Sequence, residues 1–150
     1  MIQLLLSLIK PVSADTLQFG LCFLRVCIGM LMIGHGFPKI IGGPENWHGL
    51  GQIMNLLGIY FLPTMWGFFA ACAEFFGGIA LTLGLGTRIA SFFLIIQMIV
   101  ALVFHLSKRD SFMIYSHALA LLVVFITFMI IGGGKFSLDE YFYTLRRTLG

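Results

Sequence analysis

The chain has 150 residues, is 59% hydrophobic and only 10% charged, and carries a net charge of +3 with a mean hydropathy of +1.02. Soluble domains carry about a quarter charged residues, so this composition cannot build a water-facing surface. The charge is too slight and too scattered for nucleic acid, and the apolar runs leave no room for a separate soluble catalytic domain.

Four apolar runs, about 17–41, 64–86, 88–106 and 113–131, each approach the ~20 residues that cross a ~30 Å hydrocarbon core. They predict an all-α membrane protein: one domain over residues 1–150, a bundle of four transmembrane helices with short interfacial helices. The opening "MIQLLLSLIKPVSAD" resembles a cleavable signal, but no cation precedes its short apolar core and Lys10-Pro11 interrupts it. It reads as a retained segment lying on the membrane.

In the first span Cys22, Arg25, Gly29, Met32, Gly36 and Lys39 recur at three- and four-residue steps and share one helix face. Two glycines between two cations mark a face packed against protein. Pro38 has no N–H and crowds the Gly34 carbonyl, so a bend or an end is expected there. The segment "WHGLGQIMNLLGIYFLP" then places Leu50, Ile53, Met54 and Leu57 at helical spacing. That predicts a short interfacial helix with Trp47 as aromatic anchor, roofing a pocket beneath it.

The second span carries a stripe of small residues, Ala70, Ala73, Gly77, Ala80 and Gly84, which reads as a packing seam. Glu74 lies beside it, and a carboxylate at mid-membrane costs at least a few kcal/mol unless paired or protonated. Counting residues from the span ends puts Arg25 at a similar depth, so an Arg25–Glu74 ion pair is expected. Its role would be to fix helix register, a ligand-related role standing beside it. In the third and fourth spans Gln97 lies mid-span, and His105 and His117 flank the turn "LSKRDSF". After the "GGG" at 132–134, Ser137 and Glu140 form a capping-box pattern ahead of "YFYTLRR", a short helix at headgroup level.

An even number of spans puts both termini on one side. Lys10, Arg88, Lys135, Arg146 and Arg147 lie on that side, against Lys39, Lys108 and Arg109 opposite, which places the termini in the cytoplasm. His35, Lys39, His105 and His117 then fall in the outer half of the membrane, with His48 in the connecting segment. A lone histidine on an apolar face is usually a hydrogen-bonded core residue. Several arriving at one depth from three helices point to a shared, outward-facing polar pocket formed by His35, Lys39, Glu74, His105 and His117.

"LRVCIGMLMIGHGFPKI", "AEFFGGIALTLGLGTRIAS" and "GGGKFSLDEYF" resemble the DoxX family of small four-helix membrane proteins. The resemblance runs over about residues 17–142. It rests on Arg25, His35, Gly36, Lys39, Glu74, Gly77, Gly78, Thr87, Arg88, Ser137, Leu138 and Asp139. The chain departs from the family pattern in the fourth span, where "YSHALAL" puts His117 in place of an early glutamate. The resemblance implies a bacterial-type cytoplasmic (inner) membrane protein, similar to the small membrane subunit of thiosulfate:quinone oxidoreductase. A quinone or a small acidic compound would then bind at His35, Lys39, Glu74, His105 and His117, as a redox-linked function.

A non-catalytic lipid or small-molecule carrier, or an assembly scaffold, uses the same shell and remains the second reading. No dinucleotide fingerprint or flavin motif is present, so flavin or electrons would come from a redox partner subunit; a homo-oligomer is the other expected association, besides lipid. Haem is disfavoured because histidines matched in depth near both membrane faces are lacking. A zinc site from His35, His105 and His117 is disfavoured equally. Cys22 and Cys27 diverge on a helix and cannot bridge each other. With Cys72 they read as buried small hydrophobes.

Overall fold

The structure, a computed structural model, describes residues 11–149. The first ten residues of the segment read as interfacial lie outside it. All the regular elements described are helical: α1 (Ala14–Ile41), α2 (Gly43–Gly51), a 3-10 turn (Gln52–Leu57), α3 (Pro63–Leu83), α4 (Thr87–Ser107), α5 (Phe112–Ile131) and α6 (Leu138–Leu149). Among the described residues, α1, α3, α4 and α5 are the four helices long and apolar enough to cross a membrane. Their outer faces carry Phe19, Ile89, Val123 and Ile130, each about two-thirds exposed or nearly so. Apolar surface on this scale belongs against lipid.

Local chemistry sets the element ends. Ser13 caps α1 by accepting from the Thr16 amide at 3.2 Å. Gly84 and Gly86, at φ 69° and 58°, supply the left-handed residues that turn α3 into α4 within three positions. Pro38 does not end α1, which continues to Ile41 and hands over to α2 at Gly42. One missing intrahelical bond near the end of a long helix is tolerated there.

α1 packs most extensively on α3, and α4 on α5, with α3 and α4 joining the two pairs. The α1–α3 seam is made by glycines. A Cβ on Gly29 would run into the backbone of Gly78 and Thr82, and one on Gly36 into the backbone of Glu74 and Phe75. α2 continues the seam, with Gly51 against Pro63 and Gly67 against Trp47. On the other side Met32, Leu81, Leu94, Met98, Leu121, Phe125 and Phe128 form the apolar core.

These contacts fix an axial offset that overturns the expected Arg25–Glu74 pair. With Gly36 against Phe75, Glu74 is level with Phe37, which lies about twelve residues, or roughly 18 Å, along α1 from Arg25. Arg25 instead meets the C-terminal end of α3. It is 1% exposed and donates to the carbonyls of Leu81 at 2.5 Å, Thr82 at 2.8 Å and Phe136 at 2.8 Å. The last carbonyls of a helix lack intrahelical donors and carry the negative end of its dipole, so a cation is stabilised there without a carboxylate.

The 132–139 segment is locked into the same joint. Asp139 accepts from the Gly86 amide at 2.6 Å and the Thr87 amide at 2.9 Å, capping α4 from outside the helix. Ser137 Oγ accepts from the Glu140 amide at 3.2 Å and starts α6. Cys22 lies beside the joint, 3.7 Å from the Arg25 guanidinium, while Cys27 is exposed rather than buried as expected.

Candidate functional site

The end of the bundle away from the termini holds a polar cavity of about 190 Å³, with contributions from all four long helices. α1 supplies His35 and Lys39, α3 supplies Glu74, α4 supplies His105, and α5 supplies His117. The five residues singled out in the sequence therefore meet at one cavity. Met32, Met98 and Leu121 form its apolar inner wall.

Glu74 is its most buried polar group, with 6% of its side chain exposed, and its partner is Lys39. Lys39 Nζ donates to both carboxylate oxygens at 2.5 Å. The seam glycines explain the pairing, because Gly36 brings α1 onto the Glu74 backbone and Lys39 follows three residues later on the same face. Gln97 Nε2 donates to Glu74 Oε1 at 3.2 Å and to the Ala70 carbonyl at 3.4 Å. Trp47 Nε1 donates to the Lys39 carbonyl at 2.8 Å, holding the end of α1 that carries the lysine.

The histidines divide into two kinds. His105 Nδ1 lies 2.7 Å from Asp110 Oδ2, so the turn after α4 fixes its ring. His35 and His117 are exposed at the rim, and their ring centroids are 5.6 Å apart across the gap between α1 and α5. Inside, Lys39 and Glu74 offset each other's charge. Among the described residues no three histidine, cysteine or carboxylate groups are gathered to hold a metal ion.

The expected roof sits elsewhere. Residues 43–57 are helical as the spacing predicts, but none of them lines the histidine cavity. Leu50, Gly51 and Met54 instead close one end of a separate apolar cleft between α3 and α4. The reason is again the seam: Gly51 and Gly67 clamp α2 to the first turns of α3, turning it away from α5. His48 remains in that segment, 3.3 Å from Thr64 Oγ1, outside the cavity.

Gln97 and Asp110 were not among the candidates from sequence. Gln97 could have been found by counting: from the Gly84–Gly86 turn, Glu74 and Gln97 lie nearly the same number of residues back and forward, hence at one depth. Asp110 carries no comparable signal, because its contact depends on how the 108–111 turn folds back.

No curated protein and no solved structure shows significant similarity to the chain. The family model described as DoxX matches residues 20–106, a stretch that begins within α1, ends within α4 and contains the whole Lys39–Glu74–Gln97 network. The chain belongs to the DoxX family.

Proposed function

We propose that this DoxX protein is a redox-linked membrane subunit that binds the uncharged head of a quinone in the cavity formed by His35, Lys39, Glu74, His105 and His117. What carries this reading is the bidentate Lys39–Glu74 pair. The pair offsets its own charge and leaves the histidines as hydrogen-bonding groups, which suits a neutral ring bearing two carbonyls. A small acidic ligand is the weaker reading, because the lysine that would bind it is already paired and desolvating an anion there lacks compensation. The volume of about 190 Å³ is below the roughly 300–1,000 Å³ of sites that enclose a whole small molecule, so the cavity would take a head-group ring and leave the rest of the ligand outside.

In this proposal His35 and His117 hydrogen-bond the head at the rim, and Glu74 with Lys39 forms the polar floor. Electrons come from a partner subunit, since the chain carries no flavin or dinucleotide motif of its own. The lysine and arginine distribution supports both termini being cytoplasmic and the cavity facing outward.

The test is calorimetric titration of the detergent-solubilised full-length protein with a short-chain quinone analogue. His35→Ala and His117→Ala lie at exposed positions and should keep the unfolding free energy within about 0.5 kcal/mol of wild type. Each should weaken binding several-fold. Wild-type affinity in both variants, or preferential binding of thiosulfate over the quinone analogue, would overturn the assignment.

A further inference from the structure

The terminus end of the bundle holds a larger cavity, of about 840 Å³, which shares no lining residue with the histidine cavity. It lies where α4 begins and α5 ends, bordered by the first turns of α1 and α6. The ends of two spans set its depth, at the headgroup level of the membrane. Gly132, Gly133 and Gly134 form one wall of bare backbone.

Five charged side chains line this cavity, and their pairings leave two over. Lys135 Nζ is bound to Asp15 Oδ1 at 3.0 Å. Asp139 is committed to the Gly86 and Thr87 amides that it caps. Arg88 donates once, from Nη2 to the Ile130 carbonyl at 3.1 Å, and has no carboxylate within ion-pair distance among the described residues. Glu140 is the other. A full capping box would send its carboxylate back to the Ser137 amide, but only the Ser137 Oγ half of the box forms. The Glu140 carboxylate makes no hydrogen bond or ion pair among the described residues. The cavity thus offers one guanidinium with donors to spare and one unengaged carboxylate.

That charge pattern selects the occupant. A purely anionic head would meet Arg88 but also face Glu140, and a purely cationic one would do the reverse. A head carrying both a phosphate and a primary ammonium satisfies the two together. The guanidinium fork suits phosphate oxygens, and the ammonium donates to the carboxylate. The remaining lining shows that such a zwitterion belongs to a lipid. Ile89 and Ile131, 67% and 54% exposed, line the cavity on the side of the spans. Gly86 and Ile89 also line the apolar α3–α4 cleft, so the two spaces adjoin. Tyr143 borders the head, where amphipathic rings favour the membrane interface.

We infer that the terminus-side cavity is a headgroup site for a phospholipid with a primary amine, of the phosphatidylethanolamine class. Its phosphate lies on Arg88, its ammonium on Glu140, and an acyl chain passes over Ile89 into the adjoining cleft. Phosphatidylglycerol has no cation for Glu140. Phosphatidylcholine keeps the charge but has no N–H for the carboxylate. The site does not involve the histidine cavity, so either assignment can fail alone.

The full-length protein is equilibrated in micelles carrying equal amounts of the dioleoyl ethanolamine, glycerol and choline phospholipids, and retained lipid is counted by native mass spectrometry. The ethanolamine lipid should be retained roughly three- to tenfold over each of the others, the net worth of one hydrogen bond. Glu140→Ala should erase the preference over the choline lipid, and Arg88→Gln should weaken retention of all three. Arg147→Gln, outside the cavity, should change neither. If the Arg88 or Glu140 variant does not fold, the wild-type protein decides with the N-methyl series. Retention should then fall stepwise from the ethanolamine lipid through its mono- and dimethyl derivatives to the choline lipid. Soluble glycerophosphoethanolamine, at equal concentration, should not displace the lipid. Equal retention of the three lipids, a preference for the glycerol lipid, or displacement by the soluble head would overturn the proposal. So would a preference that survives Glu140→Ala or is lost in Arg147→Gln, unchanged retention in Arg88→Gln, or no fall along the N-methyl series.

Discussion

Removing either partner of the Lys39–Glu74 pair should have unequal consequences. In Lys39→Met, Glu74 is left 6% exposed with Gln97 as its remaining hydrogen-bond partner. Orphaning a buried charge costs about 3–5 kcal/mol, less whatever the carboxyl recovers by taking up a proton. In Glu74→Gln the stranded group is Lys39, which is 30% exposed and sits in the last turn of α1. Its long stem can carry the ammonium out toward water, so a cost of about 1 kcal/mol is expected. The double variant Lys39→Met with Glu74→Gln leaves no charge to solvate and should be more stable than Lys39→Met alone.

The measurement is a denaturant titration in detergent micelles, read by helical circular dichroism, across this four-member cycle. The expected order of stability is wild type, Glu74→Gln, the double variant close behind, and Lys39→Met last. Adding Arg25→Met to the set separates the two pairings that the sequence allows. Arg25 lies roughly 18 Å of helix from the level of Glu74, so its effect should add to that of Glu74→Gln within about 0.5 kcal/mol. Strong Arg25–Glu74 coupling, or a Lys39→Met no worse than Glu74→Gln, would refute the reasoning.

Arg25→Leu removes the guanidinium donor from the Leu81, Thr82 and Phe136 carbonyls, of which Leu81 keeps only the Gly84 amide, and should cost about 3 kcal/mol while speeding amide exchange across residues 134–140. Asp139→Ala removes the cap on α4, and a loss of about 1–2 kcal/mol in the same denaturant assay is expected. Gly36→Leu drives a side chain into the Glu74–Phe75 backbone; it should cost at least 1–3 kcal/mol and shift Trp47 emission as α1 lifts from α3. His48→Ala, outside the cavity, should change stability by less than about 0.5 kcal/mol and leave calorimetric quinone-analogue binding unaltered.

The four spans, the short helices at 43–57 and 138–149 and the polar cluster were legible because hydropathy, glycine turns and capping residues act locally. The 21-residue α3 and α4 begin and end within a few residues of the limits that composition sets. What local patterns do not carry is the sliding of one helix along another. Arg25 and Glu74 were matched by counting from span ends, which assumes spans in level register. α1 is 28 residues long and is displaced toward the terminus end, so that residues 43–57 complete the far end in its place. The offset follows from where Gly29 and Gly36 find glycines and bare backbone on α3, a property of two surfaces rather than of either sequence stretch. The misplaced roof has the same origin.

The two cations of α1 thus answer two different demands, and their chemistry suits each. At the terminus end the demand is for a donor to three carbonyls approaching from different directions, two from α3 and one from the 132–139 segment. A guanidinium offers several N–H groups in a fixed fork and keeps its charge when buried, whereas an ammonium is costlier to strip of water. Toward the far end the demand is for one charge against one carboxylate in the middle of α3, which a flexible lysine in the last turn of α1 meets while keeping part of its stem in reach of water. Exchanging them follows as a physical consequence: Arg25→Lys should lose the joint despite retaining the charge, and Lys39→Arg should keep the Glu74 pair but crowd the cavity of about 190 Å³. The rigid end anchors the bundle, and the adaptable pair lies beside the space proposed to receive a ligand.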